Sequence, residues 1–169
     1  MQDGEFELER HTLPDQAHEY LGFLLDGEGY AIPIEGVVEI MKPLPITPVP
    51  GSRPQVLGLM SVRGRLSTVF SLRACLDLGP RRVDGRSRVL LVETVHEQVG
   101  FLVDEVRGVF RAEPDSIEAP SVFGGDPGPH VRGAARPDGD LVVLLDVAPL
   151  IGDGAAPRRA SEDDDLEDD

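Results

Sequence analysis

Short apolar runs separated by turn residues make up most of the chain, and this pattern predicts strands rather than long helices. The first two runs, EYLGFLL and GYAIPI, are joined by Asp26-Gly27-Glu28-Gly29, a combination typical of a β-hairpin. The proline-rich stretch KPLPITPVPGSRP fits neither a helix nor an interior strand, because proline lacks a backbone N–H donor. Two short helices are predicted, one at SLRACL that ends at Gly79-Pro80 and one at VAPLI. The other strand-like runs are VVEIM, VLGLMSV, LSTVFSL, RVLLVE, VGFLVDEV, GVFRAE, VRGAA and LVVLLD.

The order of these elements repeats along the chain. A shift of 75 residues places VLGLMSVRGRLSTVFSLRACL on VRGAARPDGDLVVLLDVAPLI without a gap, and it aligns Gly58 with Gly133 and Gly64 with Gly139. A shift of 69 residues places YAIPI on VGFLV. Chance matching of apolar residues is the alternative explanation, but two glycine matches in one ungapped register favour a duplication. Five short strands in each unit predict an all-β fold of small barrels that leave few exposed edges.

Acidic residues are concentrated at the two ends of the chain. The 169 residues carry a net charge of −15, and the chain ends in the acidic block SEDDDLEDD. Polar, acidic composition without apolar periodicity predicts mobile tails at residues 1–17 and 153–169 around a body of residues 18–152. The second tail either attracts a basic partner or only keeps the protein soluble, and its composition favours the latter.

Composition argues against several functional classes. A net charge of −15 disfavours binding to nucleic acid or to an anionic membrane surface. The single cysteine, Cys75, excludes an internal disulfide and a cysteine-rich zinc site, and the four histidines have no metal-ligand spacing. No phosphate loop, nucleophile elbow or dinucleotide motif is present, and the neighbouring acids Asp104 and Glu105 would point to opposite faces of a strand. We therefore expect a soluble cytoplasmic binding protein that needs no metal or cofactor and is not an enzyme.

Glu39 is a candidate binding residue, since a carboxylate here interrupts an apolar row. In a strand, its neighbours on the same face are Val37 and Met41. Two explanations remain open at this stage. The carboxylate either reaches water, or it accepts a hydrogen bond from a partner's donor.

A second candidate is the Arg63-Gly64-Arg65 segment, which lies at the tip of a predicted hairpin. The repeat has Asp138-Gly139-Asp140 at the corresponding tip. The turn therefore requires glycine, which adopts positive φ without strain, but it does not require arginine. The two arginines either fill a solvated turn or form a contact surface for carboxylates.

Several of these motifs, in this order, resemble the CheW family of bacterial chemotaxis coupling proteins. The resemblance covers residues 18–152. It is carried by YLGFLLDGEGYAIPIEGVVEIMKPLPITPVPG, VLGLMSVRGRLSTVFSLRACL, VGFLVDEVRGV, VRGAA and LVVLLDVAPLI.

The resemblance implies two intertwined five-stranded SH3-like barrels with short helices around a shared hydrophobic centre. The two subdomains would span roughly residues 18–86 and 87–152, with strand exchange between them. The implied function is that of a non-enzymatic adaptor, which bridges the cytoplasmic tips of chemoreceptors to the regulatory domain of a CheA-type histidine kinase. Alone it would be a monomer, and with its partners it would assemble into arrays or rings.

Matching the family's motifs residue by residue implies partner contacts in both barrels. Arg65 is added because it shares the turn with Arg63. The partner-binding residues expected in this way are Val37, Glu39, Gly58, Arg63, Gly64, Arg65, Arg132 and Gly133.

The chain departs from the family pattern at two places. Ser61 stands where the family usually has Asn, and Thr68-Val69-Phe70-Ser71-Leu72 replaces a run with Pro and Asp. Thr suits a strand and Ser71 can cap the following helix, so the barrel need not change. These differences leave the pathway open between flagellar chemotaxis and the control of surface motility, development or gene expression. A barrel-type interaction module outside chemotaxis and a small β-barrel enzyme are the two other classes considered.

Overall fold

The computed structural model describes residues 18–152, which form eleven strands and two short α-helices. The predicted tails, residues 1–17 and 153–169, lie outside the described residues, so their boundaries stay predictions. None of the helices within residues 18–152 is long and apolar enough to cross a bilayer. The elements are β1 (His18–Leu25), β2 (Glu28–Pro33), β3 (Val37–Met41), β4 (Ile46–Thr47), β5 (Val56–Val62), β6 (Arg65–Ser71), α1 (Leu72–Cys75), β7 (Arg88–Glu93), β8 (Gln98–Val103), β9 (Glu105–Ala112), β10 (Val131–Ala135), β11 (Val142–Leu145) and α2 (Val147–Ile151).

The strands form two sheets, and each sheet takes strands from both halves of the chain. Sheet I has the order β10-β11-β2-β1-β9, and sheet II has the order β3-β7-β8-β6-β5-β4. Each sheet thus combines the first two strands of one half with the later strands of the other half. The joints are two parallel pairs, β2 with β11 and β6 with β8, while the other pairs are antiparallel. The predicted all-β fold of two intertwined units is confirmed.

The 75-residue repeat is reproduced in the strand pairing. Gly58 lies opposite Val69 in sheet II, and Gly133 lies opposite Leu144 in sheet I, each just after a register shift in its strand. The two parallel pairs also correspond. The 75-residue shift carries Thr68 of β6 to Val143 of β11, and the 69-residue shift carries Tyr30 of β2 to Val99 of β8. The pair Thr68–Val99 therefore matches the pair Val143–Tyr30. Agreement of both ladders supports duplication over chance matching.

Three apolar clusters lie within residues 18–152. One lies between the sheets and includes residues of both, among them Phe23, Phe70 and Phe101, which are 1%, 0% and 0% exposed. The other two lie on the opposite faces of sheet I and sheet II, and we call the units enclosing them barrel I and barrel II. Strands such as β7 are buried on both faces, and this explains why RVLLVE reads as a continuous apolar run rather than as an alternating one.

The structure corrects four details of the sequence-based prediction. The helix at SLRACL is a single turn that ends at Cys75, well before Gly79, although Ser71 caps it as expected through a 3.1 Å hydrogen bond from the Ala74 N–H. The segment VGFLVDEV is interrupted at Asp104, so that β9 begins at Glu105. A short sixth strand, β4, is added to sheet II. The loop of the second Gly-tipped hairpin, residues 136–141, is longer than the two-residue turn of the first.

The two bulge glycines give a test of the duplicated framework. A Cβ at Gly58 would overlap the backbone carbonyl of Thr47, and a Cβ at Gly133 would lie 2.5 Å from the carbonyl oxygen of Glu118. Both glycines also have positive φ, 147° and 155°. We expect Gly58→Ala and Gly133→Ala each to lower the free energy of unfolding by roughly 1–3 kcal/mol or more. Urea denaturation measures this change. Gly85→Ala, which meets no atom within 4 Å, is the control and should be neutral. Neutral behaviour at both bulges would contradict this account.

Candidate partner-binding site

Two of the predicted partner-binding residues form an ion pair on sheet II. Arg63 Nη2 donates a hydrogen bond to Glu39 Oε2 over 2.8 Å, although the residues are 24 positions apart. Glu39 lies in β3, and Arg63 lies in the turn between β5 and β6. The carboxylate that the sequence left open as an acceptor for a partner's donor therefore already has a donor within the chain.

The turn that carries Arg63 is tight and left-handed. Val62 pairs with Arg65, so only Arg63 and Gly64 form the loop, with φ values of 50° and 85°. Positive φ at both positions matches the two-residue turn preferred in hairpins. Glycine adopts this conformation without strain, whereas positive φ at an arginine is slightly unfavourable. The strained residue is the one whose guanidinium contacts Glu39.

The ion pair links two distant strands of sheet II. β3 is the end strand of the sheet, and β5 is separated from it by β7, β8 and β6. A contact between Glu39 and the β5–β6 turn therefore requires the sheet to curl until its ends meet. In the same two strands, Met41 of β3 and Met60 of β5 pack into the apolar cluster of barrel II. The Glu39–Arg63 pair thus joins the end strand β3 to the β5–β6 turn of barrel II.

The electrostatics of the pair are those of a solvated contact. The hydrogen bond from Arg63 holds the pKa of the Glu39 carboxyl below its ordinary value, and the same bond raises the pKa of the Arg63 guanidinium. The Arg63 side chain remains 69% exposed and that of Glu39 32% exposed. Both charged groups are therefore accessible to a partner.

Exposed apolar side chains occupy positions next to Glu39 and Arg63 along these strands, and they were not singled out from the sequence. Val38 and Ile40 flank Glu39 in β3 and are 52% and 41% exposed, and Leu66 beside the turn is 68% exposed. Val95, at the tip of the β7–β8 hairpin, is 92% exposed. This tip lies at the same end of sheet II because Val92 of β7 pairs with Val37. The site combines charged and apolar surface.

The remaining predicted residues fall into three groups. Val37 begins β3 half-buried next to the site, and Arg65 is exposed beside the turn. Gly58 and Gly133 are structural bulge positions, as described above. Arg132 is exposed on β10 of sheet I, so the structure does not bring it together with Arg63.

A buried polar cluster, which the sequence analysis missed, joins the two halves near Asp104. The Oδ2 atom of Asp104 accepts hydrogen bonds from Arg73 Nη1 at 2.7 Å, from the Asp26 backbone N–H at 2.8 Å and from Arg81 Nη1 at 3.1 Å. Arg73 also contacts the Asp26 carboxylate at 2.9 Å. The side chains of Arg73 and Asp104 are only 11% and 9% exposed. These contacts hold α1, the β1–β2 turn and the β8–β9 junction together.

Comparison with known proteins decides the family. The family model described as the CheW-like domain matches residues 19–155, which is most of the chain. The chain belongs to the CheW-like family. The resemblance noted in the sequence is thereby confirmed.

Individual relatives agree with this assignment. The chain is 31% identical over 142 residues to the chemotaxis protein CheW of Thermotoga maritima, with 83% of this chain and 93% of that protein covered. It is 28% identical over 137 residues to the chemotaxis protein CheW of Helicobacter pylori, covering 81% and 83%. The crystal structure of the scaffolding protein CheW from Thermoanaerobacter tengcongensis superimposes with a TM-score of 0.75 at 26% identity, covering 83% and 97%. The family is one of non-enzymatic chemotaxis scaffolds.

Asp104 supports a stability prediction. Asp104→Ala should lower the free energy of unfolding by roughly 3–5 kcal/mol, because it leaves the buried Arg73 guanidinium without its main partner. Chemical denaturation measures the loss. The double variant Asp104→Ala/Arg73→Met should recover part of it, since no unpaired buried charge remains. A loss below about 0.5 kcal/mol in the single variant would show that the cluster does not hold the halves together.

The Glu39–Arg63 pair supports a prediction on pH. Because Arg63 lowers the pKa of Glu39, the pair persists at neutral pH and dissociates only as pH falls through that lowered pKa. In Arg63→Ala the pKa of Glu39 should return upward toward its ordinary value. A ¹³C NMR titration of the Glu39 carboxyl measures this shift. Arg65→Ala should leave the titration of Glu39 unchanged, and an equal rise in both variants would contradict the assignment of the cause to Arg63.

Proposed function

We propose that the protein is a non-enzymatic adaptor that couples chemoreceptors to a CheA-type histidine kinase, in chemotaxis or in a chemotaxis-like pathway. It would act in the cytoplasm as a monomer that joins receptor arrays through its partners. The observation that carries the proposal is the exposed Glu39–Arg63 pair, which joins the end strand of sheet II to the β5–β6 turn. Membership of a family of chemotaxis scaffolds supports the same function.

The pair suits recognition because it is held in place before a partner arrives. A guanidinium has five N–H donors, and the contact with Glu39 uses the Nη2 group. The donors that remain suit a carboxylate on a partner, which Arg can bind through two parallel hydrogen bonds. Since Arg63 is already oriented, binding costs less side-chain entropy than it would for a mobile arginine.

The apolar side chains set the second requirement on the partner. Val38, Ile40 and Leu66 would be removed from water by a complementary apolar surface, at about 25 cal/mol for each Å² buried. A partner that presents a carboxylate to Arg63 and apolar surface to these side chains therefore fits this end of sheet II. We assign this chemistry to the kinase regulatory domain or to the receptor tip.

The mechanism requires no bond to change. An adaptor that holds a receptor tip and a kinase domain in fixed relative position lets movement of the receptor bias the kinase between two states. The two barrels offer two unlike faces, and heterologous contacts between unlike faces close into rings when the rotation allows.

Titration of variants against the kinase regulatory domain and against receptor tips tests the proposal. Arg63→Ala should weaken binding to at least one partner by about 2 kcal/mol, roughly thirtyfold, because it removes a well-placed arginine. Arg65→Ala should have a smaller effect, since Arg65 has no fixed partner within residues 18–152. Arg136→Ala is the matched control, because Arg136 forms a similar exposed pair with Glu118 at 2.7 Å.

Circular dichroism and urea denaturation control for folding. Stability of Arg63→Ala should stay within about 0.5 kcal/mol of wild type. Wild-type affinity of Arg63→Ala for both partners would show that the turn is merely solvated. Absence of binding by the wild-type protein to a CheA-type regulatory domain would instead favour an interaction module outside chemotaxis.

A further inference from the structure

A cavity of about 270 Å³ lies between sheet II and the loop that joins the two halves of the chain. This loop, residues 76–87, runs from α1 to β7. The walls of the cavity come from both halves, because β4, β5 and α1 line it together with β8. The predicted partner-binding residues are not among those that line it. Leu57 of β5 lies six positions before Arg63, about 20 Å along the strand, so the cavity is distinct from the Glu39–Arg63 site.

One side of the cavity is apolar. Ile46 of β4, Leu57 of β5 and Leu102 of β8 are half-buried and pack against the apolar cluster of barrel II. Val83 of the loop is 47% exposed. All four side chains line the cavity. A ligand with an apolar body would remove their exposed surface from water, and this stabilises a complex in proportion to the area buried.

The cavity also contains hydrogen-bond donors that have no acceptor within residues 18–152. The Arg82 guanidinium makes no hydrogen bond or ion pair in this part of the chain. Ser71 Oγ accepts a hydrogen bond from the Ala74 N–H at 3.1 Å, but its own O–H donates to no residue there. A ligand that carries acceptor oxygens would satisfy both donors.

The other arginines of the cavity hold the loop in place. Arg73 Nε donates to the Gly79 carbonyl at 2.6 Å, and its two Nη groups contact Asp104 and Asp26. Arg81 Nη1 also donates to Asp104, at 3.1 Å. Both guanidiniums are therefore paired with carboxylates of the chain. Since these contacts fix the loop before a ligand arrives, little conformational entropy is lost on binding.

The charge of the loop favours anions over cations. Residues 79–88, GPRRVDGRSR, contain four arginines and one aspartate, although the whole chain carries a net charge of −15. A local excess of positive charge raises the concentration of small anions around it. The loop is therefore a cationic segment in an acidic protein.

We propose that the cavity binds a small organic monocarboxylate. The carboxylate pairs with Arg82, because a planar guanidinium binds this group through two parallel hydrogen bonds. The apolar body of the ligand packs against Val83 and Leu57. A single negative charge matches the one arginine of the cavity that has no partner within residues 18–152.

The volume limits the size of the ligand. An apolar cavity of about 150 Å³ holds benzene. The cavity of about 270 Å³ therefore holds one ring or a short alkyl chain together with the carboxylate.

Such a ligand would contact both halves of the chain. Leu57 and Arg82 belong to the first half and Leu102 belongs to the second. A ligand that binds only the folded protein raises its stability. The site thus gives a small metabolite a means to stabilise the junction of the halves, and it does not depend on the proposed adaptor function.

An NMR titration of the full-length protein with benzoate tests the proposal. Benzoate combines a ring with a carboxylate, and it should cause saturable amide shifts at Leu57, Arg82 and Val83 with a Kd on the order of 1 mM or tighter. Benzyl alcohol has the ring without the charge, and inorganic phosphate has charge without an apolar body. Each should bind at least about tenfold more weakly than benzoate.

Variants distinguish a defined site from general attraction by the loop. Arg82→Gln should weaken benzoate binding at least about tenfold, because it removes the paired guanidinium. Arg86→Gln is the matched control and should bind like wild type, since Arg86 is exposed in the same loop but does not line the cavity. Val83→Phe should also weaken binding, because it fills the cavity while Arg82 remains. Arg63→Ala should bind benzoate like wild type, which separates this site from the proposed partner site.

Thermal unfolding gives an independent measurement. Benzoate at about ten times its Kd should raise the Tm of wild type and of Arg86→Gln, but not the Tm of Arg82→Gln. Equal affinities of the Arg82→Gln and Arg86→Gln variants would overturn the proposal. Phosphate binding as tight as that of benzoate would overturn it in favour of general anion attraction. The proposal also fails if benzoate causes no saturable shifts at the cavity.

Discussion

Two parallel strand pairs, β6 with β8 and β2 with β11, are the constraint on which the rest of the structure depends. Each pair joins strands from different halves of the chain, so neither half can complete a sheet alone. Strands on both sides of these joints bury side chains in the central cluster as well as inside their own barrel. Fully burying one large apolar side chain contributes about 1.5–3 kcal/mol, so sharing one cluster between the sheets couples the stability of the two halves. The polar cluster at Asp104 lies where the chain passes from one sheet to the other.

The candidate site depends on this framework but contributes little to it. The bulge at Gly58 lets β5 approach the Thr47 backbone, and the same strand then leads to the turn at Arg63. The Glu39–Arg63 pair is exposed, and exposed ion pairs usually add at most about 1 kcal/mol to stability. Its position is therefore set by buried residues, while its charges can change without loss of the fold. This division explains how the corresponding loop of barrel I, which is longer, can carry aspartates without loss of the fold.

Local sequence signals predicted much of the fold, and contacts across the fold account for what they missed. The repeated glycines and the Ser71 cap were visible because they act within a few residues or recur at a fixed shift. Glu39 and Arg63 were each singled out, but their pairing was not, since it depends on how far sheet II curls. Asp104 was set aside as one of two neighbouring acids. Its partners Arg73 and Asp26 lie 31 and 78 positions away, and only strand exchange brings them together.

The duplication gives a physical route to two unlike surfaces. A duplicated backbone begins with equal faces, and single substitutions at exposed positions then separate them at little cost in stability. In barrel II an acid and an arginine meet in an ion pair. In barrel I the shifts of 69 and 75 residues place Gly108 and Asp138 at these positions, and both line a cleft of about 700 Å³. Since the central cluster takes residues from both sheets, the two surfaces are built on one shared core. The proposed adaptor role needs two such surfaces on one core, because it requires two different partners to be held in a fixed relation.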